Sequence, residues 1–350
     1  MNPVLPIIDT EYLIQMLVGL LNTPSPTGNT GRAIQYIKKE LNKFGSQEVV
    51  ETKKGALIVR LTGKKDDAPR VVAAHVDTLG AVVKEIKPNG RLKLSQVGGY
   101  AWNSIEGEGC NVMTADNGEI RGSILFTQAS IHVHGKTVEE TKRSDDTMEI
   151  RLDARTTSAQ ETRSLGIEVG DYVSLDPRVE LTNGFVRSRH LDDKAAAACL
   201  LAAIKALTSS DIQPEQTTYF IFSIYEETGH GATGGIVTEA AEFLTVDMAA
   251  VGEGQNSDEF HATLCVKDSA GPYHLGLSNH LRKLAKDYQI AYKTDIYPHY
   301  SSDGQGYWRA GGEAAVALIG PGVDASHNYE RTHEEALMAT TKWILAFLMN

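Results

Sequence analysis

Cysteine is nearly absent from this 350-residue chain: Cys110, Cys199 and Cys265 are far apart and odd in number. That excludes a disulfide framework or a zinc-knuckle spacing and reads as buried, reduced thiols in a cytoplasmic protein. Long apolar runs are missing too. No window approaches the roughly 18 consecutive apolar residues of a membrane span, and the amino terminus lacks the basic, apolar and small-residue succession of a secretory signal. Positive charge is the scarcer sign, with 34 Lys and Arg against 45 Asp and Glu, a net charge of −11 and no basic cluster. Phosphate backbones and anionic lipids are held by such clusters, so neither nucleic acid nor membrane is expected as a partner. What is present, 41% hydrophobic and 23% charged residues, is the composition of a folded globular protein. The length suits about two domains.

Apolar residues recur at helical spacing over 10–21, and again over 30–44 after the loop Thr23-Pro-Ser-Pro-Thr-Gly. Short β-branched runs at 56–61 and 70–75 predict strands, the second buried on both faces. From 80 to 183 the texture changes. Strand character at 81–86, 91–94, 122–126, 148–152 and 171–175 is punctuated by Asn89-Gly90, Gly98-Gly99 and Asn117-Gly118, all hairpin signals, with one helical stretch at 158–165. Beyond it, helical patterns at 193–207, 233–241, 278–287 and 332–349 alternate with strands at 217–224, 243–247 and 314–319. The expected fold is therefore an α/β catalytic domain of residues 1–79 and 184–350, discontinuous in sequence, with a β-rich domain of residues 80–183 inserted.

The chemistry-bearing residues stand where those strands end, which is where open α/β sheets build their sites. They are His75-Val-Asp77, Leu191-Asp192-Asp193-Lys194, Tyr225-Glu226-Glu227-Thr228-Gly229, Thr245-Val246-Asp247 and Ser326-His327. Singly, each has a plain explanation: Asp193 stands where a helix N-cap belongs, and Asp247 could cap a turn. Two adjacent acids ending a buried strand are costly without a partner, however, and a cation is the natural one. Two histidines with several carboxylates form a mixed nitrogen and oxygen ligand set that suits Zn, Co or Mn better than Mg or Ca. A carboxylate shared between two ions about 3.5–4 Å apart would give the two-metal arrangement of aminopeptidases.

These motifs resemble the M42 metallopeptidases, the glutamyl-aminopeptidase and tetrahedral-aminopeptidase group. The resemblance rests on His-Val-Asp-Thr-Leu-Gly (75–80), Leu-Asp-Asp-Lys (191–194), Glu-Glu-Thr-Gly-His-Gly-Ala (226–232), Thr-Val-Asp-Met (245–248) and Ser-His (326–327), in that order over nearly the whole chain. It implies a zinc-peptidase-like α/β/α catalytic domain, with the β-barrel-like insert mediating assembly into a homo-oligomer, often of twelve subunits. It implies two divalent ions per subunit, zinc first and cobalt or manganese as alternatives. His75, Asp192, Glu227, Asp247 and His327 would be ligands, with Asp192 bridging. Asp77 would orient His75, and Glu226 would be general base toward a water between the ions, releasing N-terminal residues from peptides. Glu253, six residues beyond Asp247, is the alternative ligand at that place.

Other readings of the same residues are a metal-dependent deacylase of N-acyl amino acids or sugars and a non-catalytic oligomeric scaffold. The endoglucanase label carried by some family members fits poorly, because glycoside hydrolysis needs two carboxylates free of metal. His132-Val-His134 reads as a strand pair without matching acids. His190 is a weaker candidate for the site rim and His230 and His299 are weaker candidates for substrate contact, and the glycine-rich run 229–235 lacks the Lys-Ser/Thr of a phosphate loop.

Overall fold

The computed structural model describes residues 4–45, 47–116, 118–235 and 237–350, and the chain forms two compact units, 1–77 with 178–350 and 78–177. Thirteen strands of the first unit form one sheet among the described residues. Its spine is four mutually parallel strands in the order Gln216–Ser223, Lys65–His75, Glu242–Val246, Ala315–Asp324. Antiparallel strands Leu57–Leu61 and Glu48–Glu51 extend one side, and Glu330–His333, Phe185–Ser188 and Glu180–Thr182 the other.

The spine strands are apolar nearly throughout because both faces are covered. Val72, Ala74, Phe220, Phe222, Leu244, Val246, Ala317 and Ile319 enter one core. Their alternating neighbours Val71, Ala73, Ile221, Phe243, Val316 and Leu318 enter another, with Tyr307 and Tyr297. On the first face helix Leu191–Ser209 packs against Thr10–Leu21 and Glu334–Leu348. Its run of buried alanines, 195–198 with Ala202, Ala203 and Ala206, lets the backbone approach closely, and Trp343 fills the adjoining space with its indole N–H donated to the Leu281 carbonyl at 3.0 Å.

Residues 78–177 form a closed six-stranded barrel in the order Gly80–Ile86, Leu92–Val97, Met148–Leu152, Glu119–Phe126, Gly109–Met113, Tyr172–Leu175, and every adjacent pair is antiparallel. Leu92, Leu94, Cys110, Val112, Ile124, Phe126, Ile150 and Val173 are among the side chains of its core. Gly90 takes a φ of +81° at the first hairpin, as an Asn-Gly turn requires. The helix Ala159–Ser164 starts with a reciprocal Ser158–Glu161 capping box.

Several expectations need correction. The strands 180–182 and 185–188 pair back into the large sheet, so the second unit is 78–177 rather than 80–183. Gly98-Gly99 does not close a hairpin: the preceding strand pairs with 80–86 and 148–152, and the chain travels on through a short turn at 102–104. Asn117 and Ile236 lie outside the described residues; the strands flanking Asn117 do pair antiparallel. Around Ile236, residues 233–241 contain no α-helix among the described residues, the glycines and Thr233 favouring a 3₁₀ turn at Gly231–Thr233. His132 and His134 stand in a helical turn, Ile131–His134, not a strand. Residues two apart on a helix point to different sides, so they form no shared metal face.

Candidate metal centre

The four spine strands run in the same direction, so their C-terminal ends come together. His75 closes Lys65–His75, opposite Ser223 in register. Glu226 and Glu227 follow Gln216–Ser223, Asp247 follows Glu242–Val246, and His327 follows Ala315–Asp324. Asp192 enters from the start of helix Leu191–Ser209, where Asp192 and Asp193 still have non-helical backbone angles and are joined by a cis peptide bond. Tight turns aim these side chains: His190, Tyr225, Ala325 and His327 all have φ between 56° and 70°, a costly region for non-glycine residues. The Tyr225 turn is closed by the His230 N–H donating to the Tyr225 carbonyl at 2.9 Å.

Asp192 is the hub. Its Oδ1 lies 3.0 Å from His75 Nε2 and its Oδ2 3.2 Å from His327 Nε2. Glu227 Oε2 is 3.6 Å from the same His327 nitrogen. Two overlapping donor groups result, His75–Asp192–Asp247 and Asp192–Glu227–His327, each with ligand atoms within 4.8 Å of one another. Ligands about 2.0–2.2 Å from a tetrahedral zinc stand roughly 3.3 Å apart, so the observed separations suit a cation inside each group. Orphaned atoms point the same way. Glu227 Oε1 and Asp247 Oδ1 are buried with no hydrogen-bond donor among the described residues. The residues therefore fit a pair of divalent ions, each with nitrogen and oxygen donors and Asp192 in common. Glu253 is exposed on a turn and belongs to neither group.

Electrostatics agrees. Burial disfavours ionisation of Glu226, and the charges of Asp247, Asp303 and Glu227 push its proton affinity well above the carboxylate range against the opposing pull of His75. Burial and then Asp192 do the same to Glu227, and they raise Asp247 to about 7. Burial resists charging His75 as well, yet the Asp192 and Asp77 carboxylates prevail and push its proton affinity well above the usual imidazole range. Burial would raise Asp192, but the bonds from His327 and His75 keep it ionised. Such a cluster lacks compensating positive charge.

Around the donors lies a ring of carboxylates that accept backbone amides. Asp77 takes the Glu226 N–H at 3.1 Å and the Glu227 N–H at 3.3 Å. Glu330 takes those of Asp192 at 3.2 Å and His327 at 3.0 Å. Asp193, wholly buried, takes the His75 N–H at 3.2 Å, so it is a backbone anchor and not the N-cap its position suggested. The ring contact to His75 Nδ1 comes chiefly from the Asp77 backbone carbonyl, at 3.0 Å, with the Asp77 carboxylate at 3.5 Å. A carbonyl only accepts, so Nδ1 carries a proton and Nε2 faces the donors.

Asp192, Glu226, Glu227, Asp247 and His327 line a cavity of about 690 Å³, joined by Met248, Tyr297, His299, Tyr300, Asp303 and Arg309. His299 thus reaches the cavity, whereas His190 is buried at the helix start. His230 acts through its carbonyl, which with that of Gly231 receives the Lys54 ammonium. Asp303 fastens the same loop, accepting from Ser223 and from the Ala232 N–H at 2.6 Å. A Cβ on Gly231 would overlap that carboxylate. Sequence reading missed the roles of Glu330, Asp303 and Lys54. Glu330 had one legible signal, an acid in the short run after Ser-His.

The M42 glutamyl aminopeptidase family profile matches residues 55–343. The chain belongs to that family. Membership makes it a hydrolase of the aminopeptidase type. A Bacillus subtilis (strain 168) relative named "Putative aminopeptidase YhfE" is 46% identical, over 96% of this chain and 97% of the relative. The fold is that of the tetrahedral aminopeptidases. A TET aminopeptidase from the archaeon Thaumarchaeota archaeon SCGC AB-539-E09 superposes with a TM-score of 0.88 at 18% identity, covering 97% of this chain and 96% of the other. Pyrococcus horikoshii TET1 peptidase, described as assembling into a tetrahedron or a large octahedral shell, gives 0.85 at 21% identity, covering 97% and 99%. No helix among the described residues is long and apolar enough to cross a membrane.

Proposed function

We propose that this member of the family is a dimetal aminopeptidase that removes N-terminal residues from peptides. The observation that carries the reading is the pair of donor groups sharing Asp192. His75, Asp192 and Asp247 would hold one divalent ion, and Asp192, Glu227 and His327 the other, zinc first with cobalt or manganese able to substitute. When bound, the pair supplies Lewis-acid activation of water and of the scissile carbonyl. Glu226 belongs to neither donor group, yet its Oε2 stands 3.8 Å from His75 Nε2 at the cavity wall. It would take the proton of the attacking water and return one to the leaving amine as the C–N bond breaks, giving a free amino acid and a shortened peptide. Asp77 and Glu330 keep the backbone beneath these groups in place.

By likeness to the TET fold, one solved member of which is a dodecamer, we assign assembly into a homo-oligomer to the barrel unit, and on its few buried, unpaired cysteines we place the enzyme in the cytoplasm. The test is a panel of free and N-acetylated aminoacyl anilides and short peptides, run after chelation and after return of Zn, Co or Mn. Metal-dependent release from free amino termini alone is expected. Release from the acetylated substrates alone would replace the aminopeptidase with a deacylase. Silence on the panel from protein holding two ions would leave the scaffold reading.

A further inference from the structure

The loop 23–28 precedes the stretch matched by the family profile, yet it touches the candidate centre from behind at three points. Thr27 Oγ1 donates to Asp77 Oδ2 at 2.7 Å, and both residues are buried. Ser25 Oγ donates to the Val76 carbonyl at 2.7 Å. Lys194, wholly buried, donates through Nζ to the Thr23 carbonyl at 2.7 Å, and it lies two residues from the shared ligand Asp192. The loop therefore braces the backbone of the His75–Asp77 turn and meets the side chain that follows Asp192-Asp193.

The distances around Asp77 decide what this bracing does. Its Oδ2 accepts both from the Thr27 hydroxyl at 2.7 Å and from the Glu227 N–H at 3.3 Å, while its Oδ1 accepts from the Glu226 N–H at 3.1 Å. The imidazole of His75 is held chiefly by the Asp77 backbone carbonyl at 3.0 Å, with the carboxylate farther off at 3.5 Å. Removing the Thr27 hydroxyl would free the Asp77 carboxylate to rotate while its carbonyl stays on the ring. It would loosen the turn carrying Glu226 and leave His75 aimed.

We propose that Thr27 is a positioning residue of the hydrolytic step, acting through Asp77 to fix the backbone of the Glu226–Glu227 turn. The proposal rests on the aminopeptidase reading for its kinetic half only, because the fixing itself is a property of the folded chain. Second-sphere partners of this kind change activity by about 10–100-fold when lost. Thr27→Val keeps the shape and loses the O–H; Thr27→Ser keeps the donor.

The experiment pairs amide hydrogen exchange of a peptide spanning residues 224–230 with kcat, KM and metal content, on the full chain. Thr27→Val is expected to raise exchange at the Glu226 and Glu227 amides by up to about 10-fold, the effect of one lost hydrogen bond on local opening, and to lower kcat about 10-fold. KM and metal content should stay within about twofold, and Thr27→Ser should restore exchange and kcat. Unchanged exchange in Thr27→Val overturns the proposal, as does a loss of kcat that merely tracks a loss of metal. Failure of Thr27→Ser to restore exchange overturns it too, since shape and not the donor would then matter. If wild type cleaves no peptide while the exchange effects appear, the aminopeptidase reading fails and the fixing of the turn stands.

Discussion

Stripping the cations should make the protein lose stability as pH rises, the reverse of ordinary acid denaturation. Asp247 is the clearest contributor: burial and the neighbouring Asp192 carry it from 3.8 to about 7. An acid whose folded value is raised binds its proton more tightly in the native state. Its stabilisation is complete below the unfolded value and lost as pH climbs through the folded one. About three units at 1.36 kcal/mol each amount to roughly 4 kcal/mol from this group between pH 4 and pH 7. His75, also raised, acts with the same sign. Asp192, lowered, loses its contribution only below its unfolded value and so lies outside the window. Lys194, pushed by burial down to about 7, works in the opposite direction but only above that pH. At about 2.1 cal/mol/K of unfolding entropy per residue, 4 kcal/mol in a 350-residue chain is a fall in Tm of roughly 5 °C. The assay is thermal unfolding by circular dichroism at pH 4.5, 5.5, 6.5 and 7.0, with chelator and then with zinc. Zinc requires ionised ligands and should abolish or reverse the slope. A chelated protein whose Tm is flat or rising across that window would refute the view that these acids are held against their own charge.

Three substitutions follow from the same geometry. Asp192→Asn should remove bound metal and activity together, because one carboxylate faces both histidines; unchanged metal content by elemental analysis would remove the bridge. Glu226→Gln should keep its metal and lose about 10²–10⁴-fold in kcat, and retained turnover would remove the proposed base. Glu330→Gln leaves an acceptor for only one of two backbone amides, so zinc affinity by competition titration should fall about 10-fold; an unaltered affinity would show that the Asp192 and His327 backbones hold themselves.

The spine strands and the donor residues were legible because each carries a visible cost. Acids and histidines at the ends of apolar strands are expensive unless something pays for them, and five such places in order point to one centre. The barrel was legible as a texture, from its hairpin signals and alternating residues. The strand Gly109–Met113 was not, because its own pattern is short, and the outer strands after 262 were not, because partners supplied by distant segments hold them. Residues 233–241 resembled a helix in apolar spacing, but Gly235 takes a φ of +71°, a left-handed backbone that no right-handed helix continues through.

The amide-holding carboxylates were illegible for a different reason. In the sequence Asp193 reads as a helix cap, Asp77 as the residue that orients His75, and Glu330 as nothing in particular, since an acid in a polar turn has no pattern to distinguish its tasks. Only the fold tells them apart, through what each oxygen accepts: backbone amides here, imidazole nitrogens at Asp192. This division has a physical logic. A metal ligand must be free of competing donors on the side facing the ion, so its backbone must be fixed by something else. Carboxylates do this well because one group can accept two amides and so lock a turn from behind. The ring thus aims the donors before any cation arrives, which lowers the ordering that binding must impose on the site.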